Sequence, residues 1–323
     1  MTFSPKDDAP LGRSDIAPVL FPALGVFFQL SPLGAGDEPR LDQACDLVWD
    51  WIGEHLSWTW YSFAPDMERA SRRTLDFVAG HTLRLREPPE IAGDPEADII
   101  YSNLYKTTRD DFYVMCTGGE HPSHGSPYTV RFWCEIPKVR QAETYQTRAF
   151  LQVTVPLSHP LALLRDRATA LASLLRIQWG NAGHAYATWE PTEQLVQRRK
   201  TFAHARRFLG FDTGYSIRME PFHEAIRTVS WLTFVGEPLL QKLGGPLPAV
   251  AAPLEVTSLP GALRVQAGPA PDAGDRNRLD YPAAYIAADK LLRPVRAKAA
   301  DFAWPWAPKT TEDWLSRLDR RFS

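Results

Sequence analysis

The stretch Thr228-Val-Ser-Trp-Leu-Thr-Phe-Val-Gly-Glu-Pro-Leu-Leu-Gln-Lys-Leu-Gly-Gly245 reads as a complete strand, turn and helix. From Thr228 to Val235, Val229, Trp231, Thr233 and Val235 fall on one face of a period-2 strand, and Leu232 and Phe234 on the other. A strand apolar on both faces belongs in the middle of a sheet. Gly236 ends it. Pro238 suits a first helical turn, Glu237 sits beside the positive helix end, and Gly244-Gly245 supply a left-handed stop after Leu239, Leu240 and Leu243. Every position has a structural reason, and none offers a nucleophile.

Around this stretch lies a chain of 323 residues with 44% hydrophobic content, long enough for one large or two medium domains. Its net charge of −2 argues against a broad non-specific nucleic-acid binder, which needs a basic excess to displace phosphate counterions. Cys45, Cys116 and Cys134 are an odd count in apolar surroundings, which fits buried thiols in a reducing compartment better than a disulfide framework. The apolar run Ile16–Leu30 is too short to span a bilayer. It also carries Pro18 and Pro22 and lacks a small-residue cleavage site, so it reads as a strand rather than a leader. An intracellular protein without a membrane segment is the expectation.

In chain order, a strand over Val19–Leu30 precedes an amphipathic helix carrying Leu41, Cys45, Val48 and Ile52. A strand over Leu56–Phe63, a helix from about Met67 to Thr82, and strands Phe112–Cys116 and Tyr128–Ile136 follow. The polar segment Lys138–Thr147 suggests a domain boundary, giving units at 1–140 and 141–323. A second series then runs through strand Arg148–Val155, helix Pro160–Ile177, short strand His184–Trp189 and helix Thr192–Phe208. After the central stretch comes a hairpin of Leu254–Ser258 with Ala262–Ala267 across Pro260-Gly261, then helices near Pro282–Leu292 and Thr311–Leu318.

A shift of 126 positions aligns Trp60 with Tyr186, Phe63 with Trp189, Pro65 with Pro191 and Arg72-Arg73 with Arg198-Arg199. The fold class is α+β, read as two related halves, each a mainly antiparallel sheet covered by helices. One continuous sheet built from both halves is the alternative.

Four residues, Cys116, His121, His124 and Cys134, invite a zinc reading. Their intervals match no zinc-ribbon or finger spacing, and Pro122 and Gly125 explain the loop without metal, so neither metal nor cofactor is assigned. A metal-dependent hydrolase using His121 and His124 remains the rival class. No Gly-x-Ser-x-Gly elbow, phosphate loop or dinucleotide fingerprint is present. His55, His184 and His204 read as packing residues, Asp275-Arg276-Asn277 as a turn, and Arg198-Arg199-Lys200 with Arg206-Arg207 as a solvated helix face. Trp58 and Trp60 are assigned to the core, while Trp304 and Trp306 are open to either core or interface.

The segment Glu87–Asp98 holds Glu87, Glu90, Asp94, Glu96 and Asp98 among three prolines with no basic residue, and Asp110-Asp111 add to its sign. Unpaired carboxylates on a Pro-stiffened loop attract a basic partner quickly and lose little entropy on docking. These seven acids are the candidate partner-binding residues.

The second half resembles a known family. Ser230-Trp-Leu-Thr-Phe-Val-Gly-Glu-Pro-Leu239, Leu243-Gly-Gly245, Leu263-x-Val-Gln-Ala-Gly268, Gly274-Asp275 and Trp314-Leu-x-Arg317, with Gly180-Asn-Ala-Gly183 and Arg207-Phe-Leu-Gly-Phe-Asp212 upstream, look like the type VI immunity family. Leu209 stands where that pattern has proline, and Glu237 where it has aspartate. The resemblance implies a non-enzymatic cytoplasmic antitoxin, made beside a type VI secretion effector of the nuclease kind and neutralising it through a stable complex. It implies neither direct nucleic-acid nor membrane contact, and leaves a homo-oligomer and an effector-loading adaptor open. Its motif residues Trp231, Leu232, Phe234, Gly236, Gly244, Gly245, Gly268, Gly274 and Asp275 then carry structure rather than chemistry.

Overall fold

From Pro18 to Leu30 the chain alternates bulky apolar residues on both faces of one thirteen-residue strand, and the sheet extends from both of its edges. The computed structural model describes residues 9–13, 18–33, 37–61, 67–72, 75, 111–135, 149–188, 195–213, 224–245, 247, 250–297 and 313–319. Among these lie strands β1 (Gly12–Arg13), β2 (Pro18–Leu30), β3 (Trp58–Tyr61), β4 (Glu68–Arg69), β5 (Asp111–Thr117) and β6 (Thr129–Glu135). They continue with β7 (Ala149–Val155), β8 (Ile177–Thr188), β9 (Leu232–Gly236), β10 (Leu254–Leu259) and β11 (Ala262–Ala267). Together they form one 11-stranded sheet in the order β10-β11-β9-β8-β2-β7-β6-β5-β3-β4, with β1 paired to β2 beside this path. All pairings are antiparallel.

The helices are α1 (Glu38–Ile52), α2 (Leu161–Leu174), α3 (Leu195–Arg207), α4 (Glu237–Lys242) and α5 (Ala283–Leu292). α1 turns Leu41, Ala44, Val48 and Ile52 to the core at the spacing of one helix face, and packs against α2. On one face of the sheet Phe28 meets Phe234 edge-on at 5.3 Å. On the other, Trp133, Phe150, Phe27 and Trp179 form a buried row across β6, β7, β2 and β8, with neighbouring ring centroids 5.0–5.7 Å apart. Aromatic pairs at such separations add to the free energy of burying their area.

The α+β class predicted from the sequence is the observed one, and the central strand lies between β11 and β8 with its residues buried. The sheet itself is continuous: β2, from the first 140 residues, runs between β7 and β8, both from the remainder. The expectation of one sheet per half thus gives way to its alternative, because β2 is apolar on both faces and finds partners on both edges. Trp60 and Tyr186 each lie on a strand that follows a helix, yet β3 is next to the sheet's end and β8 in its interior. The polar segment 138–147 lies outside the described residues.

Three local expectations change. β8 begins at Ile177 rather than His184; the Gly180-Asn-Ala-Gly183 run, expected to precede the strand, is part of it and pairs with β2. A Cβ on Gly180 would stand 2.2 Å from the Phe28 ring, so only glycine lets the two strands pair here. The helix expected from Met67 starts instead as β4, paired with β3, although Arg72 and Leu75 are helical. Finally, β9 begins at Leu232. The preceding residues form a turn in which the Ser230 amide donates to Thr233 Oγ1 at 3.1 Å. Downstream, α4 starts on Glu237-Pro238 and ends at Gly244 and Gly245, with φ of 85° and 104° as the left-handed stop requires.

Candidate functional site

Polar residues that are distant in sequence converge at the end of the aromatic row. Asn181, on β8, donates through Nδ2 to Asp212 Oδ2 at 2.9 Å, and Arg227 forms an ion pair with the same carboxylate. Side chains of Asp212 and Arg227 are 5% and 4% exposed. The Arg227 guanidinium also lies over Phe27 at 4.9 Å and Trp179 at 5.5 Å, so the row of rings ends on a cation. Arg317 joins this hub from the C-terminal turn. It donates to the Leu209 carbonyl at 2.7 Å, the Trp314 carbonyl at 3.0 Å and Thr228 Oγ1 at 2.8 Å, with its plane 3.9 Å from the Trp314 ring. Burial lowers its guanidinium pKa to about 9, which leaves it charged at neutral pH.

Two further ion pairs border the hub. The buried Asp275 carboxylate receives Arg207 Nε at 3.1 Å and Nη2 at 2.8 Å, a fork that holds its pKa below the ordinary carboxylate range. Asp289 is buried next to Arg296 at 2.5 Å; burial raises its carboxyl to about 6 against the pull of that cation. Arg296 also donates to the Leu315 carbonyl and to Asp319 Oδ1, fastening the turn 313–319 to the body. The carboxylates of Asp212, Asp275 and Asp289 are enclosed and each is paired with an arginine, an arrangement that specifies packing.

The described histidines that the sequence singled out sit in packing and loop contacts. His184 stacks on Phe211 with centroids 4.8 Å apart, and burial pushes its pKa down to about 3. His204 shares a 2.7 Å hydrogen bond with the Tyr186 hydroxyl and is pushed to about 4, again by burial. His55 stacks on Tyr128. His121 and His124 have centroids 5.5 Å apart, and His121 Nδ1 is engaged with Ser123. Cys116 and Cys134 sit at opposite ends of the β5–β6 ladder, facing Val130 and Phe112, so the four residues of the zinc reading do not meet. Burial drives the Cys116 thiol up to about 11. Among the described residues, no group of three or more His, Cys, Asp or Glu side chains could hold a metal ion.

The motif residues all have structural posts. Trp231 donates through Nε1 to the carbonyl of Gly268 at 3.1 Å. Leu232 and Phe234 are fully buried on β9, and Gly236 ends that strand against the Ile177 carbonyl. Gly274 donates to Asp272 Oδ1, and Asp275 accepts from the Asn277 amide, which confirms the expected turn. The sequence missed what else Asp275 does and what Asn181, quoted only within a motif, bonds to, and it missed Arg227 altogether. A polar residue inside an apolar strand and a cation just before one were the available signals.

Of the expected partner-binding residues, Glu87, Glu90, Asp94, Glu96, Asp98 and Asp110 lie outside the described residues; Asp111 is the first residue of β5. Trp304 and Trp306 lie outside them too, as do the side chains of Arg198 and Arg199. Trp58 and Trp60 are half-buried, with Arg69 4.0 Å from the Trp58 ring and Tyr113 edge-on to Trp60. An apolar cavity beneath α1, bounded by Leu30, Leu41, Val48, Val130, Phe132 and Leu151, lacks the convergent polar groups that a small-molecule site uses to orient its ligand.

A family model described as TsiV, type VI immunity for VRR-NUC, matches residues 91–318. No curated protein matches the chain. Among solved structures, the Pseudomonas aeruginosa T6SS protein PA0821 is similar at a TM-score of 0.67 and 19% identity, over 93% of this chain and 84% of that one. At that identity the likeness is one of fold.

Proposed function

The chain belongs to the TsiV family, type VI immunity for VRR-NUC, and from that premise we propose that it binds a cognate VRR-NUC effector and holds it inactive in a stable complex. TsiV is an immunity family rather than an enzyme family, and its description implies a nuclease effector as the partner. The family match over 91–318 carries the proposal; the enclosed hub supports it, since the motif residues build a scaffold and leave recognition to the surface. No helix among the described residues is long and apolar enough to cross a membrane. The encounter is placed in the cytoplasm, where a nuclease reaches DNA.

A nuclease presents positive charge to its substrate, and an acidic surface on the antidote is steered toward that charge. Glu87, Glu90, Asp94, Glu96, Asp98, Asp110 and Asp111 are proposed to supply it. Replacing Glu90, Asp94, Glu96 and Asp98 together with serine is expected to slow association and flatten its salt dependence; unchanged association at low salt would remove the segment from the account.

The primary test is growth of a sensitive bacterium expressing a candidate VRR-NUC effector, with and without the protein, followed by co-purification. Rescue with a stable complex supports neutralisation by binding. Rescue without one would point to repair of damage or modification of the toxin, and a complex without rescue to an effector-loading adaptor.

A further inference from the structure

The sheet ends differently at its two edges. β4 is two residues long and bears Glu68 and Arg69, a short charged edge of the kind that discourages further pairing. β10 ends the other side with six residues, Leu254-Glu-Val-Thr-Ser-Leu259, which include no proline, no lysine and no bulge against β11. Its one charge, Glu255, is taken up by Arg264 Nη2 at 3.1 Å. The register fixes which backbone groups of β10 face outward. Ala267 donates away from β10, to the Trp231 carbonyl, so by alternation Ala262, Arg264 and Gln266 bond toward β10, where they meet Leu259, Thr257 and Glu255. Leu254, Val256 and Ser258 therefore present their amides and carbonyls at the open edge. Of these, the Leu254 amide is bonded to the Ala251 carbonyl, and the next outward position after Ser258 is Pro260, which has no N–H. No backbone bond among the described residues reaches the amide or carbonyl of Val256 or of Ser258.

The groups left open on Val256 and Ser258 are arranged symmetrically about Thr257. We propose that a second copy of this chain pairs antiparallel with β10 about a two-fold axis at Thr257, so that one sheet runs through both copies. In that register Val256 stands opposite the partner's Ser258 and exchanges both N–H···O=C bonds with it; the axis repeats the exchange, and every open group of Val256 and Ser258 is used. Glu255 stands opposite the partner's Leu259, so no like charges are opposed. Length selects this occupant. A longer strand from another protein would set its own amides and carbonyls against the capped Leu254 amide and against Pro260 and leave them unpaired. A second copy is bounded in the same way at both ends and leaves no such mismatch.

The test measures solution mass by light scattering across a concentration series, together with thermal midpoint, for the purified full-length chain and for Val256→Pro and Ser258→Pro. Proline is accepted at an edge position whose N–H faces away from the neighbouring strand, so each variant removes an outward donor and leaves the β11 ladder in place. The wild type is expected to dimerise with a dissociation constant on the order of micromolar, as suits a small interface. Each variant is expected to raise that constant roughly tenfold or more, with the midpoint of the monomer unchanged. Thr257→Pro, which loses an amide bonded to β11, is expected instead to lower the midpoint. The reverse pattern, with Thr257→Pro harmless and Val256→Pro unfolding the chain, would overturn the assignment of the open edge. A wild type that stays monomeric across the series, or a dimer that both edge variants leave intact, would overturn the proposal. So would a monomeric wild type whose complex with a VRR-NUC effector is weakened by Val256→Pro, since the edge would then belong to the effector.

Discussion

At the β5–β6 end of the sheet Thr59 meets Cys116 at 3.5 Å and Thr129 meets Thr154 at 2.7 Å, neutral contacts beside one buried cation, Arg131, whereas the β8–β9 end encloses charges of both signs, Asp212, Arg227, Arg317 and Asp289. Arg131 bridges the two, reaching from β6 to hydrogen-bond Thr188 on β8. Neutral pairs contribute about 1 kcal/mol each and tolerate loss of a partner moderately well. A buried ion pair adds little net stability over an apolar replacement, yet is costly to break, because the survivor stays charged and dry. Residues that carry the family resemblance, Asp212, Asp275 and Arg317 among them, gather at the charged end.

The strongest challenge to this contrast is Asp212→Ala. It removes the carboxylate that pairs with the buried Arg227 and is expected to cost about 3–5 kcal/mol, read from chemical denaturation. Changing both partners, Asp212→Leu with Arg227→Met, should recover most of that loss; if the single change costs no more than a neutral hydrogen bond, the two ends do not differ.

Next in size is the acid sensitivity of the charged end. His184 and His204 have folded pKa values lowered to about 3 and about 4, so the neutral forms are favoured in the folded state. Stability from this source is complete above the unfolded value near 6.5 and is lost as pH falls from there toward the folded values. About 2–3 kcal/mol per histidine should be gone by roughly pH 4.5, measured as unfolding free energy against pH. His204→Gln should remove its share of the slope; an unchanged slope would place the acid sensitivity elsewhere.

At the neutral end, Thr59→Val is expected to cost only about 1 kcal/mol, visible as a small shift of the denaturation midpoint. A loss as large as that of Asp212→Ala would erase the distinction. Smallest of all is the effect of Leu279→Gly on folding, within about 1 kcal/mol and in the stabilising direction, since it relieves a left-handed leucine.

Much of the local structure was legible in the residues. Leu254–Leu259 and Ala262–Ala267 pair across Pro260-Gly261 as expected, α5 begins after Pro282, and Gly244-Gly245 stop α4, since turn and cap chemistry acts over a few positions. The first half of β8 was not legible, because the reason for Gly180 is the Phe28 ring on another strand. The hub was half visible. Asn181, Asp212 and Arg317 stood in recognised motifs, but nothing in the chain announces that they meet or that Arg227 completes the set.

By itself, then, the sequence determined the α+β class and the central strand–turn–helix, which rest on periodicity and short spacings, and, through the resemblance of its motifs, the family whose description implies a nuclease partner. Tertiary structure alone decided that β2 joins both halves in one sheet, that Asn181, Asp212, Arg227 and Arg317 share one dry enclosure, and that Leu279 is held bare above a clamped aspartate. Strand partners and buried charge pairs are selected by the free energy of the whole assembly, in which distance along the chain enters only through the slowly growing entropy of closing a loop.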